Sequence, residues 1–125
     1  MGTSVRMRAT ASPLARLRRA LEHGSLIQAE AAARECGRLE LGDALGLVLL
    51  LLDKHDPRYE RAALRWLGRL LVEHPRIGFE AADEALGALR WLGGPYADVA
   101  RARLALLLRR VGELDAARAL GRDPG

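Results

Sequence analysis

Three histidines, one cysteine and two tryptophans are the side chains of this sequence best suited to chemistry, and their spacing argues against most of it. His23, His55 and His74 stand singly beside Gly24, Asp56-Pro57 and Pro75, and no two have the close spacing of a zinc site. At a helix end an imidazolium meets unpaired carbonyls and the negative end of the dipole, so capping is the expected role. Cys36 would need a neighbouring base to act as a nucleophile; near the end of an Ala-rich stretch it reads as a small packing residue. Ser12 and Ser25 are placed to cap helices, and no triad can be assembled around them. Asp83 and Glu84 fall early in a predicted helix, where acids complement the dipole. Trp66 and Trp91 could stack on a ligand, but both recur among leucines at helical spacing and are expected in the core, each indole N–H then needing an acceptor.

The polar repertoire is thin. The chain has no Asn, one Gln (Gln28), and no Ser or Thr beyond Ser25. No catalytic residues, cofactor or metal are expected, and the chain is read as a non-enzyme.

The strongest functional pattern is cationic. Arg58, Arg61, Arg65 and Arg69 follow i, i+3, i+7 and i+11, which places them within about 80° of one another along roughly 16 Å of helix. Glu73, one turn beyond Arg69, is placed to pair with it. Such a row could grip an acidic peptide or track phosphates. Arg103 and Arg110 share an edge of a later helix, whereas Arg101 points elsewhere.

The elements that must position these groups are legible from composition and punctuation. Half of the 125 residues are hydrophobic but only 4% are aromatic, and Leu and Ala dominate; that bias favours helix over strand. The net charge of +4 comes almost wholly from Arg, with Lys54 the single lysine. This Arg-for-Lys bias is what a GC-rich, bacterial genome would impose; a surplus of that size suits acidic partners. A lone cysteine precludes an internal disulfide and fits a cytoplasmic setting. The longest apolar run, Ala44 to Leu52, is less than half of the roughly 20 residues of a bilayer crossing, so no membrane association is expected. Residues 1–11 carry Arg6 and Arg8 without an acid; they share Arg, Ser and Ala content with a mitochondrial presequence and are read as a flexible basic tail.

Seven helices are expected. Ser12-Pro13 opens the first as N-cap and first-turn proline, and His23-Gly24 closes it. Ser25, with Gln28 three residues on as a capping box, opens the second, which Gly37 stops. The third covers roughly Glu40 to Asp53 and is apolar all round between Ala44 and Leu52, so it must be covered on several sides. Asp56-Pro57 opens an amphipathic fourth, ending before Pro75. The fifth spans about Phe79 to Leu92, the sixth runs from Pro95 to about Val111, and the seventh from Glu113 to Leu120. Connections of two to five residues force antiparallel neighbours. The expectation is an all-α, antiparallel helix-hairpin stack forming a single domain over 12–121, with a short tail at 122–125. The hexapeptide Ala63-Leu64-Arg65-Trp66-Leu67-Gly68 recurs at Ala88 to Gly93; its offset matches adjacent helices and not successive pairs, so it is read as a chance echo.

Pro57 and Pro95 lie 38 residues apart, near the roughly 40-residue period of HEAT and armadillo arrays. The stretch Asp56-Pro57-Arg58-Tyr59-Glu60-Arg61-Ala62-Ala63 through Leu67-Gly68 resembles the inner helix of a HEAT-like repeat, departing at Glu60, where that superfamily prefers an apolar residue. In the looser second copy, Pro95 to Arg110, Gly94 replaces the Asp. Leu104, Ala105, Gly112 and Ala117, and Gly24, Ala29 and Ala33, are similar to tetratricopeptide spacing. The resemblance implies a short α-α solenoid in which Asp56 and Arg61 tie repeats together and the second helix of each pair lines a partner-binding concave side.

Together these features predict a protein–protein interaction scaffold binding an acidic segment through Arg58, Arg61, Arg65, Arg69, Arg103 and Arg110. Two alternatives stand beside it: a nucleic-acid-binding helical repeat using the same arginines, and a homo-oligomer completed through the apolar third helix.

Overall fold

The computed structural model describes residues 11–121, all of whose regular structure is helical: α1 Pro13–His23, α2 Leu26–Cys36, α3 Leu41–Asp53, α4 Tyr59–Glu73, α5 Phe79–Trp91, α6 Ala97–Arg110 and α7 Leu114–Gly121. Of the N-terminal tail expected over 1–11, all but Ala11 lies outside the described residues, as does the tail at 122–125. The chain divides into two compact units between Leu39 and Glu40.

The first unit is the α1–α2 hairpin. Ser12 accepts a hydrogen bond from the Ala15 N–H at 3.0 Å, and Gly24, at φ 72°, closes α1 in the left-handed conformation, which glycine adopts without a Cβ clash. His23 Nδ1 meets the carbonyl of Arg19, one turn back within α1, at 2.9 Å, and the terminal carbonyls of Ala20 and Leu21 are met by the Gly24 N–H. The expected capping box is only half used: Ser25 Oγ accepts from the Gln28 N–H, but the Ser25 N–H donates to the Ala20 carbonyl, because the α1 terminus already offers an orphan acceptor. Leu17 and Ala20 on α1 and Ala29 and Ala32 on α2 are the buried residues of this hairpin. Arg16 grips Glu35 with two bonds of 2.7 and 3.0 Å, and the guanidinium holds the Glu35 carboxyl below its ordinary range.

The second unit is a five-helix bundle in which α4, α5, α6 and α7 follow α3 in space as in sequence, and α7 returns to pack on α3. Leu45, Leu70, Leu104 and Leu108 are its largest fully buried side chains. Each such leucine contributes about 1.5–3 kcal/mol relative to exposure. The all-round apolar character of α3 is explained by its place between α4 and α7: its leucines and Val48 are buried or half-buried. Leu47, Leu49 and Leu52 keep partial exposure, while Leu41, Leu45, Val48, Leu50 and Leu51 are buried.

Two polar ties lock this bundle. The Trp66 indole N–H donates to the Leu41 carbonyl at 3.0 Å, joining α4 to the first turn of α3. The Tyr59 hydroxyl donates to the Leu89 carbonyl at 2.7 Å, satisfying one of the acceptors that the end of α5 leaves without an intrahelical partner. A third contact joins His74 Nε2 to Glu113 Oε2 at 2.7 Å. His74 thus pairs with the turn before α7, and capping of α4 falls to its backbone N–H, which donates to Leu70.

Burial pushes the Tyr59 phenol up to about 12, against the smaller, opposite pull of Arg101. A raised phenol contributes stability that is complete below its ordinary value of about 10 and is lost as pH rises through the folded value. Stability should therefore decline between about pH 10 and 12, with tyrosinate absorbance appearing late in that window. Tyr59→Phe should abolish the late absorbance step and cost about 1 kcal/mol at neutral pH, read by urea denaturation.

Two helix starts differ from expectation. α4 begins at Tyr59 and not at Pro57, because Asp56 accepts from the Arg58 N–H at 2.9 Å and its carbonyl takes the Tyr59 N–H, closing a turn ahead of the helix. After Pro95, α6 starts at Ala97, preceded by a turn in which the Ala97 N–H donates to Gly94.

Candidate partner-binding groove

The predicted arginine row on α4 is divided by its own acids. Arg58 clamps Asp56 through Nε at 3.0 Å and a terminal nitrogen at 3.0 Å, and this pairing holds the Asp56 carboxyl below its ordinary range. Asp56 thus pairs with Arg58, while Arg61, given a repeat-tying role by the HEAT-like resemblance, is exposed. Arg69 meets Glu73 at 2.9 Å, the pairing its i, i+4 spacing predicts. Two of the four arginines are thereby engaged within the molecule, and only Arg61 and Arg65 are left in the middle of the row, without an ion pair among the described residues.

Arg103 and Arg110 occupy a different setting. A groove of about 350 Å³ runs between α5 and α6, walled by Trp91, Tyr96 and Val99 and floored by Gly87, Ala88 and Ala100, with Arg103 and Glu84 on its rim. Local sequence builds it directly. Small residues at Gly87 and Ala88 keep the α5 surface low, and the turn after Trp91 brings Tyr96 back across it. The two rings meet edge to face, centroids 5.9 Å apart at 73°, a geometry that aromatic quadrupoles favour. Trp91 is 50% exposed and Tyr96 62% exposed. The core position expected for Trp91 is thus corrected; Trp66, 3% exposed, occupies the core as expected. Trp91 sits on the last turn of α5 and lines the groove together with Val99 and Arg103 of α6.

The same face of α6 continues past the groove. Tyr96, Val99, Arg103, Leu106 and Arg110 recur at spacings of three and four, and all five are exposed. Arg103 and Arg110 make no ion pair among the described residues. Arg101 turns from this face, as its position predicts, and donates to the Leu120 carbonyl at 2.9 Å.

A larger cleft of about 560 Å³ opens among Leu49, Leu52, Leu92, Asp98 and Arg101. Its polar rim mixes Asp53 and Asp98 with Arg101 and His55, and its arginine is already hydrogen-bonded to the Leu120 carbonyl. His55 itself sits in the left-handed region at φ 54°, and its backbone N–H donates to the Leu52 carbonyl. Among the described residues no cluster of three His, Cys, Asp or Glu could hold a metal ion, and no helix is long and apolar enough to cross a membrane. No sequence signal separated the Trp91 environment from that of Trp66; the exposure of Val99 and Leu106 beside Arg103 was readable only as a periodicity without a direction. Comparison with family models, curated proteins and solved structures finds no match to this chain.

Proposed function

We propose that this chain is a non-enzymatic protein-interaction module that holds an acidic partner segment in the α5–α6 groove. The observation carrying this reading is the exposed Trp91–Tyr96 pair over an apolar floor with Arg103 at its rim. Aromatic and Arg side chains are the anchors that dominate protein interfaces, and apolar groups exposed together mark interaction sites. The centre of the proposed interface therefore moves from the α4 row to the α6 edge, with Arg61 and Arg65 on α4 as a second cationic feature. The resemblance to helical-repeat scaffolds is in keeping with a binding role and adds no catalytic group.

Trp91 supplies the assay, because the other tryptophan is buried. Titration with a synthetic peptide rich in Glu and Leu should shift Trp91 emission, and a Lys-for-Glu version should not. Arg103→Glu combined with Arg110→Glu should weaken binding tenfold or more, about 1.4 kcal/mol, while Arg118→Glu on α7 leaves it unchanged. Equal affinity of the double variant would end the reading. Tight binding of duplex DNA, falling steeply as salt rises, would favour the nucleic-acid alternative instead.

A further inference from the structure

We infer that the occupant of this groove is an amphipathic α-helix carrying two acidic residues seven positions apart, which packs along the outer face of α6. This rests on the interaction-module reading above and specifies its partner. Tyr96, Arg103 and Arg110 are spaced by seven, and Val99 and Leu106 by seven between them, giving the alternating three-and-four rhythm of a helix–helix seam. On a 3.6-residue helix these five fall within about 80°. Val99 is 54% exposed and Leu106 45% exposed, while α6 buries its opposite side, with Leu104 and Leu108, against the bundle. The helix is thus apolar on two faces, one filled by its own chain and one not.

Glu84 stands on the α5 side of the groove, so the charges along α6 itself choose the occupant. Arg103 and Arg110 interrupt the seam at every second position, so an incoming helix of uniform leucine would strand two guanidinium groups. One with acids opposite them and apolar residues opposite Val99 and Leu106 satisfies both. The span from Tyr96 to Arg110 is roughly 21 Å, enough for about four turns of partner helix. Gly87 suits such an approach, since a Cβ there would point into open space.

The test uses the full chain and two peptides of identical composition. One places Glu at i and i+7 with Leu at i+3 and i+10; the other scrambles this order. The patterned peptide is expected to bind at least tenfold more tightly, to gain helical circular dichroism on binding, and to lose tenfold or more with Leu106→Glu. Gly87→Gln, which fills the floor from an open position, should do the same, with unchanged melting of both variants establishing that they fold. Equal binding of the scrambled peptide without a gain in helicity would overturn the helical occupant while leaving the acidic-segment reading in place. Failure of both peptides to bind would remove both. Concentration-dependent dimerisation by sedimentation, abolished by Leu106→Glu, would overturn the inference by showing a second copy of the chain on the seam.

Discussion

Trp66→Ala should be the most damaging single change in this protein, lowering the stability of the second unit by about 3–5 kcal/mol. The side chain is 3% exposed and is surrounded by the leucine core, so truncation leaves a cavity that a rigid bundle refills only partly. It also leaves the Leu41 carbonyl without the indole donor that ties α4 to α3. Against a total of about 5–15 kcal/mol for a domain, such a loss should place a substantial population in the unfolded state on mild warming. Thermal and urea denaturation followed by circular dichroism will measure it. Trp66→Phe should retain most of the volume and lose chiefly the hydrogen bond, for about 1–2 kcal/mol. In that variant the remaining tryptophan emission should be that of the exposed Trp91, shifted to longer wavelength than the wild type. An unchanged spectrum would place the buried indole elsewhere.

Gly42→Ala and Gly68→Ala should change stability in opposite directions, although both add one methyl to a helix. A Cβ at Gly42 would lie 2.8 Å from the Asp115 Cβ and 3.1 Å from the Ala116 backbone nitrogen. Backbone cannot swing aside as a flexible side chain can, so α7 would have to lift from α3, at a cost of about 1–3 kcal/mol. At Gly68, exposed on α4, the same methyl meets nothing within 4 Å and should stabilise the helix by about 0.8–1 kcal/mol. Chemical denaturation of the two variants side by side isolates the packing cost from the helix propensity they share. If Gly42→Ala melts no lower than wild type, the close α3–α7 approach is wrong.

Much of the architecture was written in local punctuation. Ser12-Pro13, Gly24-Ser25 and Gly93-Gly94-Pro95 mark ends or breaks that depend on φ preferences and on hydrogen bonds within a few residues, and such determinants act wherever the chain goes next. The pairing of Arg69 with Glu73 was equally visible, being a matter of one helical turn. The candidate site was not. The six residues from Ala63 to Gly68 are repeated from Ala88 to Gly93, yet the first copy buries its tryptophan and exposes Leu64, while the second exposes Trp91 and buries Leu89. Identical local chemistry cannot distinguish the two faces, because the distinction lies in which neighbour each helix meets.

The same division runs through the charges. Helical periodicity put Arg58, Arg61, Arg65 and Arg69 on one side of a rod, and that side is indeed where Arg61 and Arg65 stand exposed. It could not foresee that Asp56, in the preceding turn, would take Arg58, or that His74 would reach Glu113 across 39 residues. Amino-acid order alone determined that the chain forms short Leu- and Ala-rich helices and where each one stops, since propensity, capping and turn chemistry are local energies. Only the tertiary packing decided which stripe of each helix meets water: α7 closing on α3 covers the most apolar helix, and the outer face of α6 is left open. Burial is a property of pairs of surfaces, and no single segment encodes its partner.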